Sequence, residues 1–305
     1  MKRFFSILTT ALFGLTCMSL FGCSSRLGAE RYSHAEQYSA GDFTYNSKGI
    51  SRVELNWDSG SVEISESDKE TLSVSESGSN LPDAKKLHYW QDGSVLRIQF
   101  CKSGFAGTFP LGSKKLRLEI PAGIELIVKS VSAPVNLGEH SLRSLELNST
   151  SGSVRTGNIR TAGDLFINTT SGSVDTANLA VDGTLTLNST SGTVQTGRSA
   201  ASNVRLKTTS GSIRADVLEC TTVTANSTSG AIRLGLKECE SASIDGTSGA
   251  VTLNFVDGLG ASVGFRSTSG RFKCSDYGVS DGRYIFGDGR CKLDVHTISG
   301  SLTVE

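Results

Sequence analysis

A Ser-Gly step returns at nearly constant spacing through the second half of the chain, and it constrains the fold more than any other feature. Seven copies are 19 to 21 residues apart and an eighth follows after 30. Their glycines are Gly152, Gly172, Gly192, Gly211, Gly230, Gly249, Gly270 and Gly300. A fixed period of about 20 residues is typical of a solenoid, in which each repeat buries its apolar edge against its neighbours.

The residues around each step alternate between apolar and polar side chains. Before Ser191, Leu185 and Leu187 are apolar and Thr186 between them is polar, and Val194 follows the step. Such alternation is typical of a strand with one buried face. The inward face changes parity across Ser-Gly, so we predict a structural corner there, with glycine chosen because it tolerates positive φ and bulges.

These patterns predict an all-β chain that forms a parallel β-helix, or solenoid, of about 19–20-residue coils with an irregular N-terminal part and a C-terminal cap. We expect a signal peptide over 1–22, a tether over 23–42, an irregular N-terminal β part over 43–130, a regular Ser-Gly-repeat solenoid over 131–273, and a C-terminal cap with the last strand over 274–305. A separate N-terminal β-sandwich remains an alternative for the first part.

The N-terminus has the features of an export signal. Lys2 and Arg3 precede an apolar stretch from Phe4 to Leu20, which is shorter and more polar than a membrane-spanning helix. Leu20-Phe21-Gly22-Cys23 then resembles the lipobox of bacterial lipoproteins. The alternative is an ordinary cleaved signal.

The lipoprotein resemblance implies that Cys23 carries diacylglycerol, becomes the first residue of the mature chain and is then N-acylated. Several acyl chains on one residue suffice for stable anchoring. Ser24 follows where an Asp would resemble a signal for inner-membrane retention. We therefore expect a lipid-anchored protein of the bacterial cell envelope, in the outer membrane if the cell has two membranes.

The charge balance argues against nucleic acid as a partner. The formal net charge is zero, and it becomes −2 once Lys2 and Arg3 are removed with the signal. A nucleic-acid-binding surface is basic.

Four cysteines are candidates for disulfide bonds. Cys220 and Cys239 occupy the same position in adjacent coils, where a spacing of about 4.8 Å lies within the Cα range of a disulfide. Cys274 and Cys291 bracket the predicted cap, and export provides an oxidising compartment. Cys101 then has no predicted disulfide partner. We predict no metal site, since no Cys or His has a two-to-four-residue ligand spacing.

No residue pattern indicates catalysis, so we predict that the protein is not an enzyme and needs no cofactor. Paired carboxylates of a glycosidase would have to share one column or one corner. Asp164, Asp182 and Asp245 occupy different columns, and the four histidines are scattered.

Three further motifs suggest a family. The Ile-Pro-Ala-Gly strand end at 120–123, the tandem Thr-Ser-Gly corners and the closing Ser-Gly-Ser-Leu-Thr-Val at 299–304 resemble the bacterial cell-envelope "putative adhesin" β-strand-repeat proteins, a family of unknown function (DUF4097-type). The resemblance covers about 45–305 and implies a β-helix-like envelope domain without catalytic residues.

We therefore predict a non-catalytic, lipid-anchored envelope scaffold or adhesin-like binding module for an envelope glycan or protein. One alternative is a β-helix glycan-active lyase or hydrolase. Another is an envelope-stress sensor that binds peptides by strand addition.

Overall fold

Short strands make up most of the computed structural model, which describes residues 31–78, 81–106 and 114–305. The predicted signal peptide and Cys23 lie outside the described residues. The described part holds 28 strands and three short 3₁₀ helices, Ala35–Gln37, Asp83–Lys85 and Val256–Gly258.

The strands follow one another along the chain with short connections. The first nine are β1 Ser39–Ala40, β2 Phe43–Asn46, β3 Arg52–Trp57, β4 Ser61–Glu66, β5 Thr71–Ser77, β6 His88–Asp92, β7 Val95–Gln99, β8 Lys115–Ile120 and β9 Glu125–Ser130. The next ten are β10 Val135–Leu137, β11 His140–Leu142, β12 Ser144–Ser149, β13 Val154–Thr156, β14 Ile159–Thr161, β15 Leu165–Thr169, β16 Val174–Thr176, β17 Leu179–Ser189, β18 Val194–Thr208 and β19 Ile213–Ser227. The last nine are β20 Ile232–Glu238, β21 Ser241–Gly246, β22 Val251–Phe255, β23 Ala261–Ser267, β24 Phe272–Lys273, β25 Gly278–Ser280, β26 Arg283–Phe286, β27 Cys291–Thr297 and β28 Leu302–Val304.

Parallel pairing between successive coils builds three faces. Face A contains the strands before each Ser-Gly step, such as β12, β15 and the end of β17. Face B contains the strands after it, such as β13, β16 and the start of β18. Face C contains β11, β14 and the start of β17. The prediction of an all-β, solenoid-like fold is confirmed.

The register of face A places like residues above one another. Leu145 pairs with Leu165, Leu165 with Leu185, and Leu185 with Val204. All four side chains are buried, and the same core runs from Phe43 to Val304. The apolar columns of the sequence are therefore the inward columns of the solenoid.

The corner glycines are needed for a reason other than the one predicted. None of the eight has a φ in the left-handed region. Instead, a β-carbon on Gly192 would lie 2.1 Å from the carbonyl oxygen of Gly172 in the preceding coil, and one on Gly230 would lie 1.7 Å from that of Gly211. Glycine is required because the backbones of successive coils approach closely at this corner.

A buried hydroxyl column completes the corner. The residue two positions before each Ser-Gly step is almost always Ser or Thr, and we call these side chains the corner hydroxyls: Ser149, Thr169, Ser189, Thr208, Ser227, Ser267 and Thr297. The Ser189 hydroxyl accepts a hydrogen bond from the amide of Gly192 at 2.8 Å and donates one to the carbonyl of Gly172 at 3.0 Å. Thr208 bonds Gly211 and Gly192 in the same way. Ser227 does the same between Gly230 and Gly211, so these three hydroxyls each join two coils. The hydroxyls of Ser149, Thr169 and Thr297 bond the glycine of their own corner.

The coils do not stack in sequence order at either end. Strand β3 lies between β7 and β9 on face A, so an early strand is enclosed by later ones. Strand β27 lies between β21 and β23 in the same way. The last corner, Gly300, accordingly lies between Gly249 and Gly270.

This interleaving changes the role predicted for residues 274–305. Strands β27 and β28 belong to the interior of the stack. The C-terminal end of the stack is formed by β23 and β24, and the antiparallel strand β26 covers β23. At the other end, β5 and β6 pair antiparallel with β8 and β7. Antiparallel strands and a two-residue edge, β24, protect the ends against edge-to-edge association.

Substituting Gly192 by Ala should lower the free energy of unfolding by about 3 kcal/mol, because the new methyl overlaps the Gly172 carbonyl. Gly246→Ala is the matched control: this buried glycine has no neighbour closer than 3.6 Å to an added β-carbon. Its stability should stay within about 1 kcal/mol of the wild type. Urea unfolding checks both, and equal effects would contradict the corner assignment.

Substituting Ser189 by Ala should destabilise the fold by about 2 kcal/mol, because two buried backbone groups lose their partner. Ser191→Ala, on an exposed residue of the same corner, should change stability by less than about 0.5 kcal/mol. Thermal unfolding compares the two variants, and a Ser191 effect as large as that of Ser189 would show that the buried hydroxyl has no special role.

Candidate functional site

A ladder of polar side chains follows the second corner, between faces B and C. The side chain of Asn158 donates to the Glu139 carboxylate at 2.7 Å, and that of Asn178 donates to the Asn158 side-chain oxygen at 3.0 Å. The oxygen of Asn178 in turn accepts from the backbone amide of Arg198 at 3.2 Å. Four successive coils are thus linked by side chains on the outer surface.

Ion pairs continue the ladder over the next three coils. The guanidinium of Arg198 contacts the carboxylate of Glu219, and Lys237 lies 3.6 Å from the same carboxylate. Lys237 also lies 3.2 Å from Asp257. From Glu139 to Asp257 the ladder crosses seven coils, about 29 Å at the strand spacing.

Two adjoining cavities follow this ladder, and we call them together the corner groove. The first has a volume of about 600 Å³ and is lined by Glu139, Asn158, Arg160, Asn178 and Arg198 among others. The second, of about 810 Å³, is lined by Glu219, Lys237, Asp257 and Arg290 among others. Ala200 lines both. Volumes in this range are typical of ligand sites.

A buried histidine lies in the wall of the first cavity. The His140 side chain is fully buried, and its ring lies near the backbone of Pro121. Its Nε2 lies 4.0 Å from the Glu66 carboxylate. Burial lowers the pKa of His140, an effect that Glu66 partly offsets, so the ring is neutral at physiological pH.

A third cavity, of about 710 Å³, lies on the outer surface of face A near the C-terminal end. Its charged groups are mutually engaged: Arg283 contacts Asp294 at 2.7 Å, and His296 lies 3.9 Å from Asp245. Arg283 also donates to the carbonyl of Leu293. These contacts hold β26 against β27, so the charged groups of this cavity have a structural role.

A buried ion pair supports the N-terminal part. The ammonium of Lys114 lies 2.5 Å from the Glu76 carboxylate and over the rings of Trp57 and Phe100. Burial lowers the pKa of Lys114 and raises that of Glu76, while their mutual contact opposes both shifts. Because the lysine also donates to backbone carbonyls, the pair closes the first coils.

The structure brings together only some of the predicted cysteine pairs. Strand pairing places Cys239 beside Cys220, its predicted partner, and near Cys291, and its thiol donates to the Ser241 carbonyl at 3.1 Å. Cys274 follows β24 on face B, where its thiol donates to the Asp276 carbonyl at 3.6 Å. The Cys274–Cys291 bridge stays a prediction. Cys101 is buried apart from them.

The corner groove is not evident from the sequence, because its ladder changes residue type from coil to coil. Asparagine also recurs at 148, 168, 188 and 226, but there the Asn148 side chain donates to Glu146 in its own strand. The one signal in the sequence is a shared position: Asn158, Asn178 and Arg198 each lie seven residues after the serine of a Ser-Gly step.

Neither a metal centre nor a membrane helix was found in the part of the chain that the structure describes. There, no group of three or more His, Cys, Asp or Glu side chains is placed to hold a metal ion. None of its helices is long and apolar enough to cross a membrane.

Comparisons with known proteins agree with this architecture. A family model described as Toastrack DUF4097 matches residues 50–305. A crystal structure of a "putative adhesin" from Parabacteroides distasonis is 12% identical, with a TM-score of 0.53 over 88% of this chain and 97% of that chain. A "putative adhesin" from Bacteroides fragilis is 14% identical over 88% and 97%, with a TM-score of 0.44. A search of curated proteins finds no match.

The chain belongs to the Toastrack DUF4097 family, as the match to most of its length shows. The resemblance predicted from the Ser-Gly corners is thereby confirmed.

The stability of the protein should fall as the pH drops below about 6.5, in part because of His140. The buried ring has a lowered pKa, so the unfolded chain takes up a proton more readily than the folded one. His140→Leu should make the loss of stability between pH 7 and pH 5 shallower, which urea unfolding at several pH values would measure. Parallel curves for both proteins would contradict this assignment.

Proposed function

We propose that the protein is a non-catalytic, lipid-anchored binding module of the bacterial cell envelope and that its corner groove binds an extended glycan. The main observation in support of this proposal is the continuous polar groove across seven coils. The anchor rests on the lipobox-like residues before Cys23, and the envelope location on that signal together with the adhesin description of the family.

The chemistry of the groove suits a polysaccharide. Amide, guanidinium and carboxylate groups recur at about the strand spacing, so donors and acceptors repeat along one line. A glycan presents hydroxyl and acidic groups with a similar regularity. Arg160 lies exposed in this line, and no hydrogen bond or ion pair is assigned to its side chain in the described structure, so its guanidinium is available to a ligand.

A peptide added as a further strand fits the groove less well. The backbone groups of face C are already paired with neighbouring coils, for example between His140 and Ile159 and between Ile159 and Leu179. Strand addition needs unpaired backbone groups at an edge. The described edge on face B is β24, which is only two residues long.

Carboxylates in the groove are placed to hold structure or ligand. Glu139 accepts from Asn158, and Glu66 accepts from the backbone amide of Ser141. Glu219 pairs with Arg198 and Lys237. Glycoside hydrolysis requires one carboxyl to donate a proton while another acts as base or nucleophile. Engagement with fixed donors favours binding over hydrolysis.

An array of bacterial polysaccharide fragments tests the proposal, with the chain from Ser24 to Glu305, which contains the whole core. Arg160→Ala should weaken binding to the best fragment about tenfold, the loss of one charge-assisted hydrogen bond. Arg205→Ala, at an exposed position on face A, is the matched control and should bind as the wild type does.

Three results would contradict the proposal. If both Arg variants bind alike, the glycan does not occupy the corner groove. If bound fragments are shortened during incubation, the protein is a glycan-active enzyme. Absence of binding to every fragment would equally overturn a glycan as ligand.

A further inference from the structure

Three cysteines from three different coils meet at one place. Glu219 pairs with Glu238, which sets the next residues, Cys220 and Cys239, in neighbouring coils. On the other side, Ser241 pairs with Lys292, which brings Cys291 to the same level. This third cysteine arrives only because β27 is interleaved between β21 and β23, so no spacing in the sequence indicates it.

Cys239 is the central member of the group. The strand pairing places its thiol beside both neighbours, and contact with their thiols lowers the pKa of Cys239. The pKa values of Cys220 and Cys291 are raised by contact with Cys239 and by burial. A thiolate between two thiols is the arrangement that thiol–disulfide exchange requires.

The group is reachable from the corner groove. Cys220 and Cys239 both line the 810 Å³ cavity, and Cys220 is partly exposed. Cys239 is 9% exposed and Cys291 is fully buried. A reagent in the groove therefore meets Cys220 and Cys239 first and reaches Cys291 only through Cys239.

We propose that Cys220, Cys239 and Cys291 form a thiol–disulfide exchange site in which Cys239 bonds either neighbour. The co-reactant is a disulfide RS–SR, small or carried by an oxidoreductase. This inference is independent of the glycan, since it requires only the described thiols and access from the groove.

Oxidation proceeds in two balanced steps. The Cys239 thiolate attacks one sulfur of RS–SR, the S–S bond breaks, and RS⁻ leaves as the Cys239–SR mixed disulfide forms. Cys220 then loses its proton and attacks the Cys239 sulfur, which expels the second RS⁻. Two protein thiols become one disulfide, and RS–SR is reduced to two RSH.

A third step moves the bond without net oxidation. The thiolate of Cys291 attacks the sulfur of Cys239, and Cys220 leaves as a thiolate that takes up a proton. The disulfide then joins β27 to the preceding coil, because Cys291 is the first residue of that strand. Cys220 is returned to the groove as a free thiol.

The test treats the chain from Ser24 to Glu305 with oxidised glutathione, blocks the remaining thiols, and maps disulfides by tryptic mass spectrometry. Lys or Arg residues separate Cys220, Cys239, Cys274 and Cys291 in the sequence, so each falls on its own peptide. The wild type should lose about two of its five thiols, and every internal disulfide should contain Cys239.

Single variants distinguish exchange from simple pairing. Cys220→Ser should give only the Cys239–Cys291 disulfide, and Cys291→Ser only the Cys220–Cys239 disulfide. Cys239→Ser should form mixed disulfides with glutathione and no internal bond. Cys274→Ser is the matched control and should map as the wild type does.

Other maps would overturn the proposal. They are an internal disulfide that contains Cys274 or Cys101, a Cys220–Cys291 bond formed in Cys239→Ser at the wild-type rate, or no disulfide at all. If Cys239→Ser does not fold, the disulfide maps of the wild type, Cys220→Ser and Cys291→Ser still test the proposal, because each map identifies the cysteine bonded to Cys239.

Discussion

The hydrogen bonds of the corner hydroxyls are the interaction on which the rest of the solenoid depends. Each closely packed corner removes a glycine amide and a carbonyl from water, and both need a partner. A hydroxyl can accept one bond and donate another, so Ser189 satisfies Gly192 in its own coil and Gly172 in the preceding one. Glycine permits the approach, and the hydroxyl makes it favourable.

Because the Ser-Gly corner is nearly the same in every coil, the residues and lengths of the other two corners can vary. The pairing of β17 with β18 changes register between Val181 and Thr184, away from the Ser-Gly step. This change of register accommodates a coil that is one residue shorter. The second corner likewise exchanges Asn178 for Arg198 without loss of stacking. Surface chemistry such as the corner groove can therefore differ between proteins with the same inner structure.

Much of the fold could be predicted from the sequence, because inward columns such as Leu165, Leu185 and Val204 obey a strict period. The order of coils could not, since the corner at Gly300 is chemically equivalent to its neighbours and the period does not state which one it contacts. The meeting of Cys239 with Cys291 follows from that order. The ladder at Asn158 was hidden because its members differ in residue type.

Amide hydrogen exchange at the corner glycines tests the central claim most directly. The amides of Gly192, Gly211 and Gly230 bond to corner hydroxyls. Gly249 is buried, as Gly192 is, while Gly211 and Gly230 are half-buried; Gly246 stands where the corner hydroxyl of Gly249 would be. We predict that the first three amides exchange as slowly as the core strands and that Gly249 exchanges faster. Equal protection of all four would contradict the role of the hydroxyls.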